Sequence, residues 1–241
     1  SRTGKLLPPM LGLLNLIVAA GLQLDRRQVT FMPVSIGYER LMEENAYARE
    51  LSGEAKAPES VGQLLKLPAV LRDRWGRINI QFGEGFKLAP LRAEAGVAAG
   101  QNANPAKRRA IVKRLAHLVM AEINRVTALT PGALVALVLL GLGKRGVAYR
   151  DLLNICRRVG AKALALGARA TPTLVDSTIS NQLREEGIRD ALKLYIKSSL
   201  IEQHVPGDTL TADDKKRARL YTGSDVIFTV PDNKRLRLDL P

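Results

Sequence analysis

Apolar and polar positions alternate in several rhythms along this chain, and each rhythm predicts a different element. Leu11–Leu24 is apolar almost throughout, broken only by Asn15 and Gln23, and predicts a buried helix. Val29–Ile36 is a nearly continuous apolar run of strand type, whereas Arg77–Phe82 alternates with period two, as a half-buried strand does. Between them lie a charged helix over Arg40–Ser52, a loop by composition over Gly53–Glu59, and a second helix over Val61–Arg72 that leads into Trp75-Gly76. The order strand, helix, strand fits a sheet with crossover helices.

Residues 96–106 are small and turn-forming, and Pro105 is suited to open a helix. They predict a linker between residues 1–95 and residues 107–241. Beyond it the three- and four-residue spacing of Ile111, Leu115, Leu118, Val119, Ile123 and Val126 predicts an amphipathic helix with its basic residues mostly off that face. Further helices are expected at about 131–142, 149–168 and 180–203. The last segment reads as a β-hairpin: strand Asp225–Val230, turn Pro231–Lys234, strand Arg235–Leu240. The expected fold is therefore an α/β N-terminal part followed by a mainly α-helical region ending in a β-hairpin.

Charge adds a partner to this outline. The formal net charge is +14, and it is uneven: residues 1–100 hold 13 Lys/Arg against 10 Asp/Glu, residues 101–241 hold 24 against 13. An anionic partner is implied, and it belongs to the second part. The single cysteine, Cys156, excludes an internal disulfide and sits on an apolar helical face, which reads as a core thiol. Met10–Leu24 and Pro131–Leu142 are too short for a membrane span, which needs roughly 20 apolar residues. The chain opens without a Met or a charged-then-apolar leader, and we expect it to be an internal piece of a longer protein.

Two stretches carry recognisable chemistry. Ser1-Arg2-Thr3-Gly4-Lys5-Leu6-Leu7-Pro8 is followed by Phe31-Met32-Pro33-Val34-Ser35-Ile36-Gly37-Tyr38-Glu39. They resemble the third and fourth sequence blocks of the bacterial membrane glycerol-3-phosphate 1-O-acyltransferase family, the third entered part-way at its second Ser. Gly76–Gly85 resembles that family's next strand. The resemblance implies part of a glycerolipid acyltransferase-type mixed sheet in residues 1–95. It also implies an activity that moves an acyl group from acyl-ACP or acyl-CoA to sn-glycerol 3-phosphate in phospholipid synthesis, without further cofactor or metal. Arg2, with Ser1 and Lys5, matches the family's phosphate-binding positions. A guanidinium suits that role through two parallel charge-assisted hydrogen bonds. Pro33, Val34, Ser35, Ile36, Gly37, Tyr38 and Glu39 match its acyl-donor side or cleft wall, and Glu39 reads equally well as a salt-bridge partner. The family acts at the cytoplasmic face of the inner membrane, so an anionic membrane surface is the expected partner of the basic half.

The catalytic base of the family is the His of a His-x-x-x-x-Asp motif, which has no counterpart here. His117 has Glu122 at that spacing, but a helix sets residues five apart about 140° round from each other. His204 has Asp208 one residue too close. No catalytic residue is expected in this chain. Residues 107–241 alone also read as a winged-helix nucleic-acid module, or as a docking module with solvated charges. The α/β part, which a DNA-binding domain does not need, favours the acyltransferase and no specific nucleic acid.

Overall fold

The computed structural model describes residues 6–24, 29–39, 76–176, 178, 182–207, 220 and 223–239. The helices expected at Arg40–Ser52 and Val61–Arg72, and the loop between them, lie outside the described residues. The chain divides into two compact units. One takes the described residues up to Ile36 with Ile80–Thr127; the other takes Gly37–Glu39, 76–79 and the described residues from Ala128 onward.

In the first unit, helices α1 (Leu11–Gln23), α2 (Leu88–Glu94) and α3 (Pro105–Val126) pack together. Their core joins Val18 and Leu22 to Leu88, Leu91, Ile111, Val112 and Leu115. The start of α3 follows from its sequence: the Asn104 side chain accepts the Lys107 backbone N–H at 2.8 Å, and Pro105 needs no partner for the N–H it lacks. Gly21 lets α1 approach α2, since a Cβ there would lie 2.8 Å from Leu88 Cδ2. Strand β1 (Thr30–Phe31) pairs antiparallel with β4 (Phe86–Lys87) beside this core. Residues 96–106, expected as a linker, connect α2 to α3 inside this unit, with Val97 buried in its core.

Strands β2 (Val34–Tyr38) and β3 (Ile78–Phe82) form a separate pair. The Gly83 N–H donates to Pro33 O and the Glu39 N–H to Arg77 O. Residues 33 and 83, like 39 and 77, are therefore opposite one another, and the strands run antiparallel.

The second unit is built round α4 (Pro131–Gly141), whose Leu134, Val135, Val138 and Leu139 are all buried. It is apolar on every side because helices cover it on more than one side: α5 (Tyr149–Ala165) and α6 (Glu185–Lys197) both pack on it. Thr130 caps it through the Ala133 N–H at 3.1 Å. Two-stranded pieces β5 (Ala128–Leu129) with β7 (Arg169–Ala170), and β8 (Val175–Asp176) with β9 (Gln182–Leu183), flank these helices. A three-stranded antiparallel sheet runs in the order β10 (Glu202–His204), β11 (Ile227–Thr229), β6 (Val147–Ala148). The expected single helix over 180–203 is thus β9, α6 and β10.

The C-terminal hairpin is not formed. Its first strand is present as β11, but Asp232–Lys234 is a 3-10 turn that runs into helix α7 (Arg235–Leu238). Two contacts explain the helix: Leu238 is fully buried, and the Arg235 guanidinium donates to Leu140 O at 3.0 Å and Gly143 O at 2.7 Å. Those carbonyls lie at the C-terminal end of α4, where backbone acceptors lack helical partners.

Candidate functional site

Ser1, Arg2 and Lys5, the expected phosphate-site residues, lie outside the described residues. The second stretch is described in full. Pro33 is buried, and its carbonyl holds the end of β3 through Gly83. Ser35 is buried and its hydroxyl sits 2.8 Å from that of Thr127, which in turn donates to Ile123 O at the end of α3. Val34 is half-buried, while Ile36 and Tyr38 on the same side of the strand are exposed.

Glu39 is a salt-bridge partner. Its carboxylate accepts the Arg77 backbone N–H at 3.0 Å and lies 3.7 Å from the same residue's guanidinium, with the side chain only 13% exposed. Gly76 makes room for this: its φ is +80°, and a Cβ there would stand 2.7 Å from Glu39 Cβ. Glu39 and Arg77 line a small hollow of the second unit with Gly132, Asp190 and Leu194. The hollow therefore offers two carboxylates and one guanidinium, the guanidinium already paired.

His117 is not paired with Glu122. His117 is on the exposed side of α3, whereas Glu122 is buried on another side of the helix. Arg125 claims Glu122 with two hydrogen bonds of 2.6 Å, and the Glu84 backbone N–H donates to it at 2.8 Å. That carboxylate in turn raises the pKa of Arg125. Gly83 fits beneath: a Cβ would be 2.7 Å from Glu122 Cγ. This clamp ties the Gly83-Glu84 turn to α3, and the sequence reading, which set Glu122 against His117, missed it. The usable signal was Glu122 as the one acid in a 22-residue helix, three residues ahead of an Arg. His204 bonds through Nε2 to the Thr229 hydroxyl at 2.9 Å across β10 and β11. Asp208 lies outside the described residues.

Cys156 is completely buried, and burial pushes its thiol up to about 12. A thiol that stays protonated is a poor nucleophile. Among the described residues no group of three or more His, Cys, Asp or Glu is placed to hold a metal ion, and no helix is long and apolar enough to cross a membrane. Pro131–Leu142, too short for a membrane span, is the core helix α4 and its cap.

Comparison of the sequence with known proteins finds a family. The family model described as glycerol-3-phosphate acyltransferase C-terminal region matches residues 47–221. The chain belongs to that family. A glycerol-3-phosphate acyltransferase of Xylella fastidiosa (strain M23) is 37% identical over 168 residues, covering 66% of this chain and 20% of that protein. The protein of that name from Pseudomonas fluorescens is 38% identical over 145 residues, 58% of this chain and 17% of its own length. That of Xanthomonas campestris pv. campestris is 34% identical over 171 residues, 67% and 19%. The chain spans about a fifth of the length of the curated relatives it matches. The family model falls mainly on the helical part and leaves Ser1–Pro8 and Val29–Glu39 outside its bounds.

Proposed function

We propose that this chain works as part of a glycerol-3-phosphate 1-O-acyltransferase, with residues 1–95 forming the C-terminal part of its α/β acyltransferase domain. The observation that carries this reading is the family match over 47–221, joined to 34–38% identity with proteins of that name. The 1-hydroxyl oxygen of sn-glycerol 3-phosphate attacks the thioester carbonyl of acyl-ACP or acyl-CoA. A C–O bond forms, the C–S bond breaks, and the hydroxyl proton passes through a general base to the departing thiol. Arg2, with Ser1 and Lys5, holds the phosphate so that the hydroxyl meets the carbonyl. Pro33 to Glu39 forms the wall on the acyl-donor side, and Glu39 serves that wall through its ion pair with Arg77.

Product and acyl chain both belong to a membrane, and we read the site of action as the cytoplasmic face of the inner membrane. Helix α3 supports this. Its exposed side carries Lys107, Arg109, Lys113 and Arg114 and no acid. A surface of that kind suits anionic head groups, each near-surface cation contributing about 1 kcal/mol. From α4 to β11 the helical part runs helix, strand, helix, three short strands, helix, strand, strand, and only without the three short strands β7, β8 and β9 is that the order of a winged-helix module. Its third helix, α6, nevertheless exposes Glu186 and Asp190 among Arg189, Lys193 and Lys197. Such a mixed face is a poor match for a phosphate backbone.

The general base of the reaction is assigned to no residue of this chain, so the chain alone should not catalyse. Loss of general-base help is worth about 10²–10⁴ in rate. Assayed with palmitoyl-CoA and glycerol 3-phosphate, the chain by itself should give no product above a boiled control. Turnover that His117→Ala abolishes would place the base here and overturn the assignment of roles.

A further inference from the structure

The strand pair β2–β3 is inside out. With residues 33 and 83 opposite one another, Val34 faces Phe82, Ile36 faces Ile80 and Tyr38 faces Ile78, all on one side. Ser35, Gln81 and Asn79 point to the other side. A half-buried pair would put its apolar side inward and its polar side in water. Here the reverse holds: Ile36 is 54%, Ile80 52% and Phe82 66% exposed, while Ser35 is buried against Thr127. Among the described residues neither strand pairs with a further strand.

We propose that the outward face of β2–β3, centred on Ile36, Ile80 and Phe82, is a docking surface for a further polypeptide layer supplied by the rest of the longer family protein. The inference rests on the reading that this chain works within such a protein, and it names the surface where the two parts meet. Three observations select that occupant. About four-fifths of each matched relative's length lies outside the matched segment, which is ample chain for another layer. On the edges that no described strand pairs with, backbone N–H and C=O groups are satisfied by added strands and not by hydrocarbon. The face itself carries no lysine or arginine to meet lipid head groups. The same unit offers a second uncovered apolar side on α1, where Met10, Leu13 and Leu16 are exposed. Two such sides in one small unit exceed the scatter of single surface apolar residues.

Maleimide labelling, read site by site by mass spectrometry, tests this. The chain alone is compared with the complete polypeptide its gene encodes. Phe82→Cys should label as fast as Lys113→Cys in the chain alone, while native Cys156, fully buried, stays silent. In the longer protein Phe82→Cys should slow at least tenfold and Lys113→Cys should not. Amide hydrogen exchange over 78–82, which needs no substitution, should slow by a similar factor. Equal rates in both settings would overturn the proposal. So would protection of Phe82→Cys in the chain alone on adding lipid vesicles, which assigns the face to a membrane, or on raising its concentration, which assigns it to a second copy. Neither readout uses acyl transfer. Protection without transfer leaves the docking face standing and removes the proposed function, and transfer with Phe82→Cys unprotected does the reverse.

Discussion

At the scale of single residues, the chemistry that matters is which carboxylates are already spoken for. Glu39 and Glu122 are both held by an arginine and a backbone N–H, and each stands against a glycine that no other residue could replace without moving it. Glu122 is the more deeply committed. Glu122→Ala strands the Glu84 N–H and leaves Arg125 unpaired, at a cost of about 1–3 kcal/mol. Glu122→Gln keeps an acceptor and should cost less. Denaturant titration of the two variants checks this, and equal midpoints would mean the clamp contributes nothing. Glu39 as an ion pair was one of two readings open to sequence, because the partner, Arg77, sits 38 residues away where no spacing rule reaches. The Glu122–Arg125 clamp was legible in principle, because its partners lie three residues apart on one helix, whereas the Glu84 N–H that completes it is 38 residues away.

Among elements, those set by long local patterns were legible and those set by distant partners were not. Leu11–Gln23, Ile78–Phe82 and Pro105–Val126 form where hydrophobic period placed them, whereas the single strand expected over Val29–Ile36 is two, Thr30–Phe31 and Val34–Tyr38, each with its own partner. Which side of β2 and β3 faces water did not follow, because alternation fixes a register but not its direction. Arg235-Leu236-Arg237-Leu238 alternates cleanly, yet four residues also make one helical turn. The choice fell to Leu238 in the core and Arg235 on the end of α4. Glycines test the packing of helices directly. Gly187 lies in the first turn of α6, where a Cβ would meet Thr173 O at 2.1 Å, while Gly12 on α1 has nothing within 4 Å. Alanine gains about 1 kcal/mol in helix propensity at either site. Gly12→Ala should therefore raise the melting temperature by about 2–4 °C. At Gly187 displacement of a backbone carbonyl outweighs that gain, since overpacking costs about 1–3 kcal/mol, and Gly187→Ala should melt lower. A rise for both would contradict the close approach of α6 to the 171–174 turn.

For the whole molecule, the basic excess and the family membership have to be read together. The cations concentrate after residue 100, and on α3 they occupy a side without acids. The chain should sediment with vesicles containing anionic lipid and much less with neutral ones, and salt should weaken that binding. Lys113→Glu with Arg114→Glu should reduce it several-fold without changing the circular dichroism of the chain. Duplex DNA bound tightly near physiological salt, with no preference for anionic vesicles, would send the basic half to nucleic acid instead. The central claim is that Ser1–Lys5 holds glycerol 3-phosphate within an acyltransferase. Its most direct measurement is the initial rate of 1-acylglycerol 3-phosphate formation by the complete polypeptide its gene encodes, against glycerol 3-phosphate concentration, with and without Arg2→Ala. The account predicts product from the unaltered protein, and in Arg2→Ala a loss of roughly tenfold or more in kcat/KM for glycerol 3-phosphate, from one charge-assisted contact of about 1.5–3 kcal/mol, with the acyl-donor KM nearly unchanged. Absence of acyl transfer to glycerol 3-phosphate by the complete polypeptide, or an Arg2→Ala enzyme indistinguishable from it, would contradict the account.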